Sequence, residues 1–211
     1  MIRLEGTIAG AGFGGRHRIV MGIWDDGPLG AMADVMWATP DDRRTLLAPN
    51  DAVASFVGGI YWFDDVRVVP FDLKTSRLDA LAMRAGDLEI ELRAGRAFKI
   101  FRVRPRILRR RPAWVRFENL LLRPLFGRFA LRGATGVRAY GVSPSGVREW
   151  YCVDEYRPVI AGSATHKGKD LGTLTNLDPP ARFGFSEFPT RPALVRCAPL
   201  LKGADRFLSE A

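Results

Sequence analysis

Residues 18–24, Arg-Ile-Val-Met-Gly-Ile-Trp, are followed at once by Asp25-Asp26-Gly27-Pro28. The apolar run predicts a β-strand, and the Asp-Gly-Pro cluster predicts its end. Further short runs of this kind, closed by Gly, Pro or Asp, lie at 33–39, 43–48, 59–63, 66–71, 137–142, 147–153 and 194–198. About ten short strands and few helices favour a mainly β fold, either a single β-barrel or a two-sheet sandwich.

Two short helices are expected beside the strands. The first covers 51–57, because Asn50 is a favourable N-cap residue. The second follows Pro112, which suits a first helical turn, and ends before Pro124. The sequence has no repeat, linker or low-complexity tract, so residues 1–211 are interpreted as one domain.

A β-hairpin is predicted between residues 87–92 and 97–104, with the turn at 93–96. Leu88, Ile90 and Leu92 alternate with acidic residues in the first arm. Basic residues occupy much of the polar face of the second arm, so the two arms would pair acid against base.

Glycine spacing gives two weak motifs near the N-terminus. Residues 10–15 contain the spacing G-x-G-x-x-G, but no βαβ pattern surrounds it, so a glycine-rich turn between strands is the better interpretation. Gly22-Ile23-Trp24 resembles the G-x-W on the first strand of lipocalin-type barrels. This resemblance covers three residues and implies a lipocalin- or calycin-like barrel as one form of the expected fold.

The basic residues are concentrated in one segment. Residues 93–132 hold thirteen Lys or Arg and one acid, Glu118, whereas the whole chain has a net charge of +9. The candidate anion-binding residues in this segment are Arg109, Arg110, Arg111, Arg116 and Arg123. One hypothesis is an interfacial helix that meets an anionic surface. The alternative is a helix packed on the barrel with solvated arginines, as in most globular proteins.

Four tryptophans fall in or beside predicted strands and are the candidate ligand-binding residues: Trp24, Trp37, Trp62 and Trp150. Aromatic side chains of this kind line apolar pockets. The leading hypothesis is therefore a β-barrel that binds an apolar or amphiphilic small molecule with an anionic head group, with the basic segment at its mouth. The alternative for these residues is a filled core.

An enzyme is the second hypothesis. His166 lies in a Gly- and Lys-rich loop and is the best candidate for a general base, with Glu187 or Asp170 as its partner. Cys152 is interpreted as a small buried hydrophobe rather than a nucleophile. The third hypothesis is a module that binds an anionic membrane surface or nucleic acid, and nucleic acid is disfavoured because the motifs of the common modules are missing.

The inventory predicts neither a metal site nor a cofactor. Two histidines and two cysteines are too few for a zinc cluster, and the cysteines form no C-x-x-C pair. No signal peptide or long apolar window is visible, so a cytoplasmic protein is expected, with peripheral membrane association as an extension.

Overall fold

The computed structural model describes residues 1–76, 79–98, 111–115 and 138–208. Its strands are β1 (Ile2–Arg3), β2 (Glu5–Phe13), β3 (His17–Asp26), β4 (Met32–Ala38), β5 (Arg44–Ala48), β6 (Asp65–Val68), β7 (Phe71–Ser76), β8 (Ala80–Ala85), β9 (Leu88–Ala94), β10 (Tyr140–Val142), β11 (Arg148–His166), β12 (Lys169–Asp170), β13 (Leu174–Thr175) and β14 (Ala193–Lys202). Helix α1 is Asp51–Ile60, and residues 112–115 are also helical.

Ten of these strands follow one another in a single strongly curled sheet. Their order is β6-β5-β4-β3-β2-β14-β11-β9-β8-β7. The two end strands, β6 and β7, are successive along the chain and are separated only by Val69 and Pro70. Val69 donates a backbone hydrogen bond to Ala48, while Pro70 accepts one from Gly86, so this link contacts both ends of the sheet. The curled sheet forms a half-barrel, which confirms the mainly β, barrel-like fold predicted from the sequence.

Strand β11 connects the two parts of the half-barrel. It is 19 residues long; its first part pairs with β14 and its second part pairs with β9. Its register shifts between Val153 and Glu155 and again between Val159 and Ala161. Such irregularities bend a strand and increase its twist, which is how one strand serves both parts.

The alternating side chains of β3 separate two cores. Ile19, Met21 and Ile23 pack with apolar residues of β8 and β9, so they lie on the inner face of the curled sheet. Trp24 points the other way and packs with α1, on the outer face. The continuous apolar run in β3 therefore reflects burial on both faces.

Helix α1 forms the crossover between the parallel strands β5 and β6. Its N-cap is Asn50, whose side-chain oxygen accepts a hydrogen bond from the Val53 N–H at 2.9 Å. Phe56 and Ile60 are buried on the side of α1 that faces the sheet. The predicted helix and its cap are confirmed, but the helix is three residues longer than expected because apolar packing continues to Ile60.

A predicted strand and the predicted hairpin are wrong. The expected strand at 59–63 begins inside α1, because Gly59 and Ile60 are the last two residues of that helix. The expected pairing of 87–92 with 97–104 is excluded because β9 pairs with β8 on one side and with β11 on the other. Residues 97–98 are not in a strand, and 99–104 lie outside the described residues.

The glycine motifs have a packing role. Gly10 and Gly12 lie within β2, whereas Gly14 and Gly15 form the predicted turn between β2 and β3. A Cβ at Gly10 would overlap the ring of Phe188, and one at Gly12 would overlap the backbone carbonyl of Asn176. The spacing thus lets residues 176–192 lie directly against the sheet. Gly22 and Trp24 are in β3, not in the first strand as the lipocalin resemblance implies.

Among the residues that the structure describes, no helix has the length and apolar character needed to cross a membrane.

Candidate functional site

A cleft of about 810 Å³ opens between the sheet and the start of α1. Pro49, Asn50, Ala52 and Val53 precede and begin α1, while Phe71 and Leu81 belong to β7 and β8. Apolar side chains that line it include Ile23, Trp24, Leu29, Met32, Leu73 and Leu194. Both the volume and the mainly apolar lining are typical of small-molecule pockets.

Four charged residues also line this cleft, namely Asp25, Asp79, Arg157 and Arg196. Arg157 is held on both sides, by Asp79 at 2.7 Å and by Glu155 at 2.5 Å. Arg196 contacts Asp25 at 2.5 Å through one nitrogen, Nη1. Its other guanidinium N–H groups have no hydrogen-bond acceptor among the described residues, so Arg196 has donors available at the cleft.

Trp24 is the one predicted ligand-binding tryptophan that lines the cleft. Its indole N–H donates to Oδ1 of Asp34 at 3.3 Å, and this bond is buried. Asp34 is only 1% exposed, and its Oδ2 has no hydrogen-bond partner. Burial raises the pKa of Asp34 from 3.8 to about 7, with the bonds from Trp24 and Gly22 opposing the rise. Trp24, which forms part of the cleft wall, is therefore hydrogen-bonded to a carboxyl group whose charge changes near neutral pH.

Trp37 lies in the inner core, between two histidines. Its indole N–H donates to Nδ1 of His17 at 3.2 Å, and its ring meets His166 edge-on at a centroid distance of 4.9 Å. Burial is the main cause that lowers the pKa of both histidines, which favours their neutral forms. This trio fills the end of the half-barrel where β3 begins and β11 ends.

The other two tryptophans are elsewhere. Trp62 is 63% exposed, with the guanidinium of Arg44 lying 5.6 Å from its ring centroid. Trp150 is buried in a separate cluster with Cys152 and Val115. The structure therefore does not bring the four tryptophans into one pocket. Sequence periodicity could not separate them, since all four sit in apolar, strand-like surroundings.

The two candidate catalytic acids have other hydrogen-bond partners in the described part of the chain. His166 and Asp170 flank the tight β11–β12 turn, but Asp170 accepts its hydrogen bond from the Gly172 backbone. Glu187 accepts from the Arg182 backbone. No hydrogen bond joins His166 to either acid within the described ranges.

Only residues 93–98 and 111–115 of the basic segment are described. Arg111 is exposed and its carbonyl accepts hydrogen bonds from Trp114 and Val115, which confirms that a helix starts after it. Val115 is buried against the cluster of Trp150, so the start of this helix packs on the half-barrel. Arg109, Arg110, Arg116 and Arg123 lie outside the described residues.

The structure also contains an acid–phenol cluster that the sequence analysis did not identify. Glu149 is completely buried and accepts hydrogen bonds on Oε2 from Tyr61 at 2.6 Å and from Tyr151 at 3.0 Å. Burial raises the pKa of Glu149 from 4.5 to about 7. Glu149 lies between Arg148 and Trp150 in β11. An acid in a strand normally marks the solvent face, so the local sequence carries no sign that Glu149 is buried.

In the described residues, no group of three or more His, Cys, Asp or Glu is placed to hold a metal ion. Cys152 and Cys197 are both buried and form no disulfide with each other. Comparison of the chain with protein-family models, with curated proteins and with solved structures finds no match.

Proposed function

We propose that this protein binds an amphiphilic small molecule in the cleft between its sheet and the start of α1. The observation that carries the proposal is a cleft of about 810 Å³ whose apolar lining is interrupted by the available donors of Arg196. Pockets of this size and lining bind drug-sized molecules, and a few placed polar groups fix their orientation.

The apolar tail of the ligand would lie against Ile23, Leu81 and Leu194, which continue into the inner core. Removing this surface from water supplies the driving force, at about 0.8 kcal/mol for each CH₂ group buried. Trp24 would form one side of the tail site, held in place by Asp34.

The head group would be a carboxylate or another singly charged anion held by Arg196. Arg157 is less available because two carboxylates already occupy it. The four charged lining residues sum to zero, so the cleft itself would not attract a highly charged anion. A single guanidinium fits a carboxylate well because its N–H groups form paired, charge-assisted hydrogen bonds.

The test is isothermal titration calorimetry at pH 7 with decanoate, octanoate and decanol. Two additional CH₂ groups in the cleft are expected to make decanoate bind about tenfold more tightly than octanoate. The variant Arg196→Gln is expected to weaken decanoate binding about tenfold, the loss expected for a hydrogen bond to a charged group. It should leave decanol binding unchanged because decanol carries no charge.

The matched control is Arg84→Gln, which removes an exposed arginine of β8 outside the cleft. It should bind all three probes as the unsubstituted protein does. Equal loss in both arginine variants would mean that binding reflects general charge attraction and would contradict the proposed head-group site. Absence of binding by all three probes would overturn the amphiphile site itself.

The two cysteines of the chain are buried and form no disulfide with each other, which supports a reducing compartment and a cytoplasmic protein as part of the proposal. Association with an anionic membrane would be a route by which such a ligand is collected, through the basic segment around Arg111.

A further inference from the structure

Three oxygen atoms form a buried triangle at the C-terminal end of α1. The Tyr61 hydroxyl lies 2.6 Å from Glu149 Oε2, the Tyr151 hydroxyl lies 3.0 Å from the same oxygen, and the two hydroxyls are 2.9 Å apart. Each side of the triangle is within hydrogen-bond distance. The three groups come from the end of α1 and from β11, so the triangle joins the helix to the sheet.

The number of protons in the triangle determines how many of its three contacts can be hydrogen bonds. Two neutral phenols supply two protons, and two protons can form only two of the three hydrogen bonds. If the Glu149 carboxylate is ionised, both phenols donate to it and the contact between the phenols has no proton. If the carboxyl group carries a proton on Oε2, three protons serve three contacts and a closed ring of hydrogen bonds forms.

The second carboxylate oxygen points to the same protonation state. Oε1 of Glu149 is buried and has no hydrogen-bond partner, and the residue as a whole is 0% exposed. A charged oxygen in that position would have lost its hydration without compensation. Burial correspondingly raises the pKa of the Glu149 carboxyl and those of both phenols, so all three groups favour their neutral forms.

Among the described residues, the elements around the triangle provide no cation to stabilise the charged form. From β14, the Cys197 thiol lies near Tyr151, and its burial raises its pKa and keeps it neutral. Residues 184–185 place a glycine against Tyr61 and the ring of Phe185 against Tyr151. From the turn that follows β14, Arg206 donates to the Ser145 carbonyl and forms no ion pair with Glu149 in the described chain.

The same place also holds the end of the helix. The Tyr61 N–H donates to the Val57 carbonyl as the last hydrogen bond of α1, and the Ser145 hydroxyl donates to the Ile60 carbonyl. The C-terminus of a helix carries partial negative charge, which further disfavours a carboxylate beside it. Ionising Glu149 would therefore strain the contact that fixes this end of α1.

We propose that Tyr61, Glu149 and Tyr151 form a proton-binding site that fastens the end of α1 to β11 when occupied and loosens this contact when the proton leaves. The site is separate from the cleft, because none of the three residues lines it. The proposal does not depend on the cleft having a ligand.

The first test follows the proton directly. The full-length protein is labelled with ¹³C in its glutamate carboxyl groups and titrated by NMR from pH 4 to pH 9. One resonance is expected to titrate near neutral pH and to be missing in Glu149→Gln. The control Glu187→Gln, which alters a carboxyl group outside the triangle, should keep it. A Glu149 resonance that titrates in the ordinary range of exposed glutamates would overturn the proposal.

The second test follows the helix end by amide hydrogen exchange in the same pH range. In the unsubstituted protein, protection of the Tyr61 amide should fall above neutral pH relative to the Ala54 amide, which donates to Asn50 near the start of α1. In Glu149→Gln, which mimics the protonated carboxyl group, the ratio should stay constant. The same fall in Tyr61 protection in both proteins would overturn the proposed link between the proton on Glu149 and the attachment of α1.

If Glu149→Gln does not fold, a different variant tests the proposal. Tyr61→Phe removes one corner of the triangle and leaves Glu149 in place. The midpoint of the near-neutral resonance should then shift, because a hydrogen bond to the carboxyl group has been lost. An unchanged midpoint would show that Glu149 titrates independently of Tyr61 and would contradict a shared site.

Discussion

At the residue scale, two acids of this protein are shielded from solvent, and this burial changes their proton affinity. Asp34 and Glu149 are both buried, and each has one oxygen without a hydrogen-bond partner. Each is held by an aromatic donor, Trp24 for Asp34 and two tyrosines for Glu149. Burial of this kind favours the protonated form, so the folded protein binds protons more tightly than the unfolded chain does.

Asp34→Asn is expected to stabilise the protein more at pH 8 than at pH 5. The pKa of Asp34 is raised to about 7 in the folded state from 3.8, so in the unsubstituted protein stability falls as pH rises toward 7. Asparagine keeps an acceptor for Trp24 and has no proton to lose. The substitution should raise the free energy of unfolding by about 2–3 kcal/mol more at pH 8 than at pH 5. Urea unfolding at both pH values measures it.

The control is Asp72→Asn, which changes an exposed acid of β7. Its effect on the free energy of unfolding should be within about 0.5 kcal/mol at both pH values. If Asp34→Asn gave equal changes at pH 5 and pH 8, Asp34 would not titrate differently on folding, and the account of its burial would be wrong.

At the scale of the element, α1 connects the cleft with the triangle of Tyr61, Glu149 and Tyr151. Its first turn, at Asn50, Ala52 and Val53, lines the cleft. Its C-terminal end is fixed by Tyr61 and Glu149. The helix has only ten residues, a length at which an isolated helix is marginal in water, so it depends on its caps and its packing.

Asn50→Ala is expected to destabilise the protein by about 1 kcal/mol, since it removes the acceptor for the Val53 N–H. Asn50→Asp should retain stability because aspartate is an equally good N-cap. Thermal and urea unfolding measure the change. Asn176→Ala, an exposed asparagine outside a helix, is the matched control and should have little effect. Equal stability of Asn50→Ala and the native chain would contradict the role of the cap.

At the scale of the whole molecule, one sheet serves two cores. Ile90 is buried in the inner core and Phe56 in the outer core, each at 1% exposure. Strand β3 contributes side chains to both cores. The two cores should therefore unfold together, as expected of one domain.

Ile90→Ala and Phe56→Ala are each expected to lower the free energy of unfolding by about 2–5 kcal/mol. Both should shift the same single transition, followed in parallel by near-UV and far-UV circular dichroism. Ile160→Ala, at a 62% exposed position, should shift it by less than about 0.5 kcal/mol. Two separate transitions, each sensitive to one variant, would contradict a single domain.

The sequence alone determined the class of fold and much of its local structure. Runs of β-branched and aromatic residues closed by Gly, Pro and Asp marked β3, β4, β5 and β14 because strand propensity and turn chemistry act over a few neighbouring residues. Asn50 marked the start of α1 for the same reason. The error at 59–63 shows the limit, since the apolar run there begins with the last residues of α1, and the packing of that helix on the sheet decided the outcome.

Only the tertiary structure decided which of these residues meet. Strand pairing placed Trp24 at the cleft, Trp37 between two histidines and Trp150 in a third cluster, although the four candidate tryptophans look alike in sequence. It also closed Tyr61 and Glu149, 88 positions apart, into one buried ring. The sheet buries β11 on the face where alternation predicted solvent, so the environment that sets the protonation of Glu149 arises from contacts distant in the chain and has no local signal.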